Sequence, residues 1–307
     1  MKVAFCFPGQ GSQDVGMGQA IAAEFPEARA VFDEASEAVG FDVARLCFEG
    51  PIEELTRTEM QQPALVATSI ACLRAVESVG IKPDFVIGHS VGEYSALAAA
   101  GAVSDRDALA LVRERGRAME EAAKQHPGAM AAVLGLEDKI VEELCAAVES
   151  VWPANYNCPG QVVVSGENAA VDRLLEEAAA AGARKTVKLR VSGAFHSPLV
   201  ARAADALRPA LAGVGWNEPA PPFMSTVSAR LEDARRFVDL LVEQLTGPVK
   251  FTQAVRGLVK EGVGMCVEIG PGHVLSGLLR RCDRSLQTIS VGDPEAVRKL
   301  QETLSAA

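Results

Sequence analysis

The stretch VIGHSVGEYSALAAAG, from Val86 to Gly101, decides how the chain folds around one serine, Ser90. An apolar run precedes the serine and an alanine-rich run follows it, which predicts a buried strand, a tight turn and a helix. Gly88 and Gly92 flank the turn and let strand and helix approach closely. This context is typical of a nucleophile elbow, which projects the serine hydroxyl outward. An ordinary glycine–serine turn is the alternative interpretation.

The order of predicted elements indicates an α/β protein in two parts. Strands alternate with helices near both ends of the chain, as in a mostly parallel sheet. The middle of the chain instead predicts the order β-α-β-β-α-β, which is the ferredoxin-like unit. We therefore predict a small domain at residues 124–193, inserted into a larger α/β domain formed by residues 1–123 and 194–307.

Composition limits the class of protein. The chain has 307 residues, 49% of them apolar, and a net charge of −10, which favours a globular protein and argues against nucleic-acid binding. Its apolar runs are far shorter than a membrane span, and Pro8 and Gly9 interrupt the N-terminal segment before a signal peptide could form. Seven scattered cysteines without a CxxC pair predict neither a disulfide framework nor a zinc site. We expect a cytoplasmic protein that binds no metal.

A serine nucleophile needs a base, and four histidines could supply one. His89 adjoins Ser90, so we expect its ring to leave the turn in another direction. We expect His126 in a solvated loop and His273 at the start of a helix. His196, in VSGAFHSPL, follows the predicted small domain at the junction of the two domains, where clefts commonly form. We therefore predict that His196 is the base.

Arg115 is a second candidate, on a helix predicted over residues 105–122 with Ser104 as its N-cap. It falls within the apolar stripe of that helix, whereas Arg113 and Arg117 point to the other side and are expected to be solvated. A guanidinium on a buried face needs an anionic partner. The helical pattern does not decide between two anionic partners for Arg115. One is a carboxylate of the chain in a structural ion pair, and the other is an anionic substrate.

Five motifs along the chain carry a family resemblance. They are FPGQGSQ (7–13), GHSVGEYSAL (88–97), GAFHSPL (193–199), QLTGPVKF (244–251) and EIGPGHVLSGL (268–278). Together they resemble the malonyl-CoA:acyl carrier protein transacylases and the acyltransferase domains of polyketide synthases, from about residue 3 to about residue 285. The resemblance implies an α/β-hydrolase-like large domain with a ferredoxin-like insert. It also implies transfer of malonyl from malonyl-CoA to the phosphopantetheine thiol of acyl carrier protein, without a cofactor, for fatty acid or polyketide synthesis.

The resemblance implies a role for each residue of the predicted site. Ser90 would be the nucleophile and His196 its base, with the backbone carbonyl of Gln244 orienting the imidazole where hydrolases use an acid. The backbone N–H groups of Gln10 and Val91 would form the oxyanion hole. Preorganised donors of this kind stabilise the tetrahedral oxyanion, and a carbonyl acceptor fixes the imidazole tautomer.

The resemblance also implies how the substrate is selected. At the family's RGxxM motif, here Arg115 to Met119, the arginine binds the free malonyl carboxylate, which its planar fork fits. Phe195, directly before the base, is similar to the malonyl-selective type, since a phenyl ring would crowd the methyl branch of methylmalonyl.

Two other functions stay open from the sequence. The elbow would also serve a serine esterase or thioesterase with water as second nucleophile, and an inactive module could bind carrier proteins. We expect a monomer.

Acyl carrier proteins are acidic and so is this chain, so docking would need local basic residues, for which Arg184, Lys185, Lys188 and Arg190 are candidates. A solvated strand edge protected by charge is the alternative interpretation of that group.

Overall fold

The computed structural model describes residues 1–305, and residues 306 and 307 of the predicted catalytic segment lie outside the described residues. The strands are β1 Lys2–Phe7, β2 Phe85–Gly88, β3 Ala129–Leu134, β4 Val151–Cys158, β5 Gln161–Gly166, β6 Lys185–Lys188, β7 Phe223–Met224, β8 Leu231–Glu232, β9 Val263–Ile269 and β10 Gln287–Val291. The helices are α1 Gln19–Glu24, α2 Pro26–Val39, α3 Val43–Glu49, α4 Ile52–Leu55, α5 Thr58–Ser78, α6 Gly92–Ala99, α7 Asp105–Gln125, α8 Asp138–Ala147, α9 Asn168–Ala180, α10 Ala201–Ala212, α11 Phe237–Thr246, α12 Phe251–Lys260, α13 Val274–Cys282 and α14 Pro294–Ser305.

The larger sheet has six strands in the order β10-β9-β1-β2-β7-β8. Neighbouring strands run parallel from β10 to β7, and only β8 is antiparallel to its neighbour. Side chains of β1 alternate between two core clusters, with Phe5 and Phe7 in one and Ala4 and Cys6 in the other. Both faces of this sheet are therefore covered, as expected of a parallel sheet. The prediction of a mostly parallel α/β architecture is confirmed.

The smaller sheet is antiparallel, in the order β4-β5-β3-β6. Its elements follow one another as β3-α8-β4-β5-α9-β6, which is the predicted ferredoxin-like order. Helices α8 and α9 share a core cluster of their own with this sheet. The boundaries at 124 and 193 stay a prediction, and helix α7 extends to Gln125, across the first of them.

The small sheet is bonded to the large domain at Val249, two residues before α12. Val249 donates to the carbonyl of Ala154 at 2.8 Å and accepts from the N–H of Tyr156 at 2.9 Å. Both partners belong to β4, so the edge of the small sheet is hydrogen-bonded to the segment that follows α11. This junction holds the small sheet over the carboxyl ends of β1 and β2.

The sequence predicts a helix from about Gln62 to Val79, and in the structure this helix, α5, begins four residues earlier, at Thr58. Pro63 lies inside the helix and cannot donate to the carbonyl of Glu59, which would ordinarily end or kink the helix. That carbonyl instead accepts from Arg113 Nη1 at 2.9 Å. The expectation that Arg113 is solvated was therefore wrong, because its side chain replaces the hydrogen bond that the proline removes.

The sequence pattern predicts the last strand of the small domain at Lys185 to Val191, but strand β6 ends at Lys188. The last ladder bond is donated by the N–H of Leu189 to Met130. Beyond it the chain leaves the sheet and turns at Gly193, where a β-carbon would come within 2.5 Å of the Ala123 side chain. Close approach to helix α7 thus overrides the β-propensity of the segment.

No helix among residues 1–305 is both long enough and apolar enough to cross a membrane. All seven cysteines are buried as free thiols.

Candidate active site

Ser90 lies in the turn between β2 and α6 with φ at 53°, in the left-handed region that serine rarely adopts. A β-carbon on Gly92 would come within 2.2 Å of the Phe7 carbonyl, and one on Gly88 within 2.1 Å of Gly92. These glycines are needed so that strand, turn and helix can pack this closely. The backbone conformation is that of a nucleophile elbow.

His196 lies opposite the serine, in the loop that follows β6. Its Nε2 is 2.9 Å from Ser90 Oγ, and its Nδ1 is 2.7 Å from the carbonyl oxygen of Gln244. Because a carbonyl only accepts, Nδ1 carries the proton and Nε2 is free to accept from the serine hydroxyl. Burial, together with the positive charge of Arg115, lowers the pKa of His196 to about 3, so the ring is neutral at pH 7. A neutral ring is what a general base requires.

The other three histidines lie where they cannot serve Ser90. The Nε2 of His89 is 2.8 Å from Asn157 Oδ1, so this ring contacts β4. His126 and His273 are exposed. The structure thus brings together the one serine–histidine pair that the sequence selected.

Arg115 is completely buried, as its place in the apolar stripe of α7 predicted. Its Nη1 donates to Gln62 Oε1 at 2.7 Å, and its Nη2 donates to Gln244 Oε1 at 2.9 Å and to Ser90 Oγ at 3.1 Å. Its Nε–H has no acceptor. No Asp or Glu side chain of residues 1–305 lies within 4.0 Å of this guanidinium, although other arginines, such as Arg74, have such partners. The structural ion pair that the sequence left open is therefore absent from the described residues.

The backbone N–H groups of Gln10 and Val91 have no acceptor among residues 1–305. Val91 lies at the N-terminus of α6, where N–H groups point away from the helix and favour negative charge. Gln10 follows Gly9, at which a β-carbon would come within 2.5 Å of the His89 carbonyl. Both donors are therefore free, and the loop that carries Gln10 packs directly on the elbow.

A cavity of about 120 Å³ opens between the two sheets at this point. Ser90, His196, Gln10 and Phe195 line its floor, and residues of the small sheet line its roof. Phe195 is 2% exposed and faces the space beside the serine. A larger cavity of about 610 Å³ lies elsewhere on the surface, and none of the site residues lines it.

Among residues 1–305 no group of three or more potential metal ligands is present.

Sequence reasoning missed three polar side chains of this site. Gln62 accepts from Arg115, Asn157 contacts His89, and Glu93 is fully buried beside Gln244. Glu93 lies at the start of α6, directly after the turn that carries Ser90. Acidic residues are common at helix starts, so the sequence did not indicate that this side chain is buried. Gln62 and Asn157 are far from their partners in sequence. Only the folded chain shows those contacts.

We predict that His196→Ala lowers the rate at which a fluorophosphonate labels Ser90 by roughly 100-fold or more, since the serine loses its general base. The matched control is His126→Ala, which removes the same ring from an exposed loop and leaves labelling unchanged. Labelling is followed by intact-protein mass spectrometry. A slow His126→Ala protein beside a normal His196→Ala protein would refute the assignment.

Comparison with known proteins places this geometry in a family. A family model described as "Acyl transferase domain" matches residues 4–300. The malonyl CoA-acyl carrier protein transacylase of Bacillus subtilis is 45% identical over 308 aligned residues, which cover 99% of this chain and 97% of the relative. The crystal structure of malonyl-CoA:acyl carrier protein transacylase from Xanthomonas oryzae is 45% identical and superposes with a TM-score of 0.95, covering 99% of both chains.

A further solved structure contains a type II PKS acyl-carrier protein in complex with its malonyl-transacylase. The transacylase superposes with a TM-score of 0.96 at 40% identity, covering 99% of this chain and 100% of that chain. The likeness spans both sheets and all the elements that carry the site. The chain therefore belongs to the acyl transferase domain family and, within it, to the malonyl CoA-acyl carrier protein transacylases.

Proposed function

We propose that the protein transfers the malonyl group from malonyl-CoA to the phosphopantetheine thiol of an acyl carrier protein, for fatty acid or polyketide synthesis. The observation that carries this proposal is the buried guanidinium of Arg115, which donates to neutral oxygens only and retains an unused N–H. A buried cation is costly unless an anion compensates it. A substrate carboxylate attached close to the reacting carbonyl supplies that anion.

In the first half-reaction Ser90 Oγ attacks the thioester carbonyl carbon while its proton passes to His196 Nε2. The oxyanion that forms accepts from the backbone N–H groups of Gln10 and Val91. The carbon–sulfur bond then breaks, the CoA thiolate takes the proton from His196, and malonate remains as an ester on the serine. Only two carbon–carbon bonds separate the ester carbonyl from the free carboxylate, so Arg115, which contacts Oγ, is within reach of it.

In the second half-reaction the carrier's thiol gives its proton to His196 and its sulfur attacks the ester carbonyl. The bond to Oγ breaks, and Ser90 recovers its proton from His196. Each half-reaction uses the same neutral imidazole as base and then as acid. The Gln244 carbonyl keeps Nδ1 protonated throughout, so Nε2 always faces the reacting atoms.

Alternative functions leave parts of the site unused. A lipid esterase or thioesterase has no role for a buried arginine, and an inactive carrier-binding module has none for a serine and histidine in hydrogen-bonding distance. We propose a cytoplasmic location for the enzyme, since free cysteines are typical of a reducing compartment. The monomeric state stays a prediction.

The proposal is tested by mixing the protein with malonyl-CoA and then with holo acyl carrier protein. Mass spectrometry should find malonate on Ser90 after the first step and on the carrier after the second. Hydrolysis to free malonate at the same rate with and without carrier would support the thioesterase instead. Failure to load Ser90 at all would support the inactive module.

We predict that Arg115→Ala lowers malonyl transfer by roughly 30- to 5,000-fold, because the substrate carboxylate is left desolvated without a partner at a cost of about 2 to 5 kcal/mol. The rate of acetyl transfer from acetyl-CoA should not fall comparably, because the acetyl group has no carboxylate. Arg115→Lys should recover part of the activity, since an ammonium lacks the planar fork.

The matched control is Arg113→Ala, on the same helix but bonded to the Glu59 carbonyl. It should lower the melting temperature and leave the preference for malonyl over acetyl unchanged. Melting curves are needed for every variant. A folded Arg115→Ala protein with the wild-type preference for malonyl over acetyl would mean that another group binds the substrate carboxylate.

We predict that Phe195→Ser relaxes selection against methylmalonyl-CoA, because the buried ring fills the space beside Ser90 where a methyl branch would lie. One methyl group is discriminated by about 1 to 3 kcal/mol, so the malonyl-to-methylmalonyl ratio should fall by roughly 10- to 200-fold. The ratio is measured by competitive loading of Ser90. Equal loading of the two substrates by the wild type would exclude this role for Phe195.

The basic residues proposed for carrier docking, Arg184, Lys185, Lys188 and Arg190, are all exposed. Lys188 is paired with Asp172 at 2.5 Å, so Lys185 is the better position for a test. We predict that Lys185→Glu raises the KM for acyl carrier protein several-fold and spares the KM for malonyl-CoA. Lys139→Glu on α8 makes the same change in net charge and is the control. An unchanged carrier KM in Lys185→Glu would remove these residues from the docking surface.

A further inference from the structure

Glu93 is an ionisable residue of the site that the reaction described above does not use, and burial raises the pKa of its carboxyl group to about 7. It is fully buried, directly after the elbow on α6. Its Oε1 accepts from the Thr226 N–H at 2.6 Å and from Thr226 Oγ1 at 2.9 Å. Its Oε2 accepts from Gln244 Nε2. Burying a carboxyl group at this depth costs free energy unless hydrogen bonds compensate it. Its partners therefore indicate what the group does.

The Gln244 side chain stands between Glu93 and Arg115. Its Oε1 accepts from Arg115 Nη2 at 2.9 Å, and its Nε2 donates to the Ser90 carbonyl at 3.1 Å and to Glu93. The two ends of a glutamine amide are nearly the same shape but opposite in hydrogen-bonding character. A reversed amide would direct an NH₂ group at the guanidinium and an oxygen at two acceptors.

We propose that Glu93 is a positioning residue for substrate selection, which holds the amide oxygen of Gln244 towards Arg115 and thereby fixes the guanidinium for the substrate carboxylate. In its ionised form the Glu93 carboxyl group suits this task because it accepts on both oxygens, from Thr226 on one side and from Gln244 on the other. The inference rests on the proposed malonyl transfer and adds a residue that acts on the substrate only through Gln244 and Arg115.

The substitution Glu93→Gln tests this arrangement because it keeps the size of the side chain, while it changes the hydrogen bonding and removes the negative charge of the ionised carboxylate. If the new amide directs its oxygen at Thr226, its NH₂ faces Gln244 and favours the reversed amide. If it directs its oxygen at Gln244, its NH₂ faces the Thr226 N–H, which can only donate. Either outcome breaks a hydrogen bond that Glu93 makes.

We expect Glu93→Gln to lower the malonyl-to-acetyl loading ratio on Ser90 by roughly 10- to 100-fold, the usual effect of a lost hydrogen bond to a charged group. Acetyl loading should stay within about threefold of wild type, because the Gln244 backbone carbonyl still orients His196. Glu93→Asp keeps an acceptor-only carboxylate and should retain more of the ratio than Glu93→Gln, even with a lower melting temperature. A packing role alone predicts the reverse order, since glutamine is the better match in shape.

The matched control is Glu268→Gln, another fully buried glutamate, which accepts from the N–H groups of Leu275 and Ser276 at the start of α13. This change should lower stability and leave the loading ratio unchanged. A wild-type ratio in folded Glu93→Gln, an equal loss of both substrates in it, or a similar shift in Glu268→Gln would each overturn the inference. A wild type without malonyl preference would overturn the proposed function as well.

Discussion

A buried guanidinium without a carboxylate partner is the constraint on which the rest of the site depends. Arg115 is held by the side-chain oxygens of Gln62, Gln244 and Ser90, which supply hydrogen bonds but no compensating charge. Burial lowers the pKa of this arginine, because the charged form is poorly solvated. The free site is therefore prepared for an anion, and burial together with the positive charge of Arg115 keeps His196 neutral.

Gln244 joins the two tasks of the enzyme, chemistry and recognition. Its backbone carbonyl fixes the His196 tautomer, while its side-chain oxygen accepts from Arg115. The residue lies near the end of α11, and the following segment pairs with β4 through Val249. The small sheet is thus hydrogen-bonded to the segment that follows Gln244, the residue whose carbonyl orients His196. The small sheet and the Ser90–His196 pair are therefore structurally connected.

The sequence predicted the mostly parallel α/β fold, the turn at Ser90 and the burial of Arg115 because their signals are local. A strand, a glycine-flanked serine and a helix follow one another directly, and the apolar stripe of α7 shows that Arg115 is buried. Glu93 and Gln62 were missed because their partners lie far away in the chain. For the same reason the helix through Pro63 was predicted too short, since only the folded protein supplies Arg113 to the orphaned carbonyl.

The central claim, that Arg115 reads a carboxylate on the acyl group, is tested most directly by a crystal structure of the protein with malonate esterified to Ser90. Both carboxylate oxygens should lie about 2.7 to 2.9 Å from nitrogens of the Arg115 guanidinium, in a bidentate pair. A malonyl group directed into the cleft, with Arg115 still bonded only to its glutamine and serine partners, would contradict the claim.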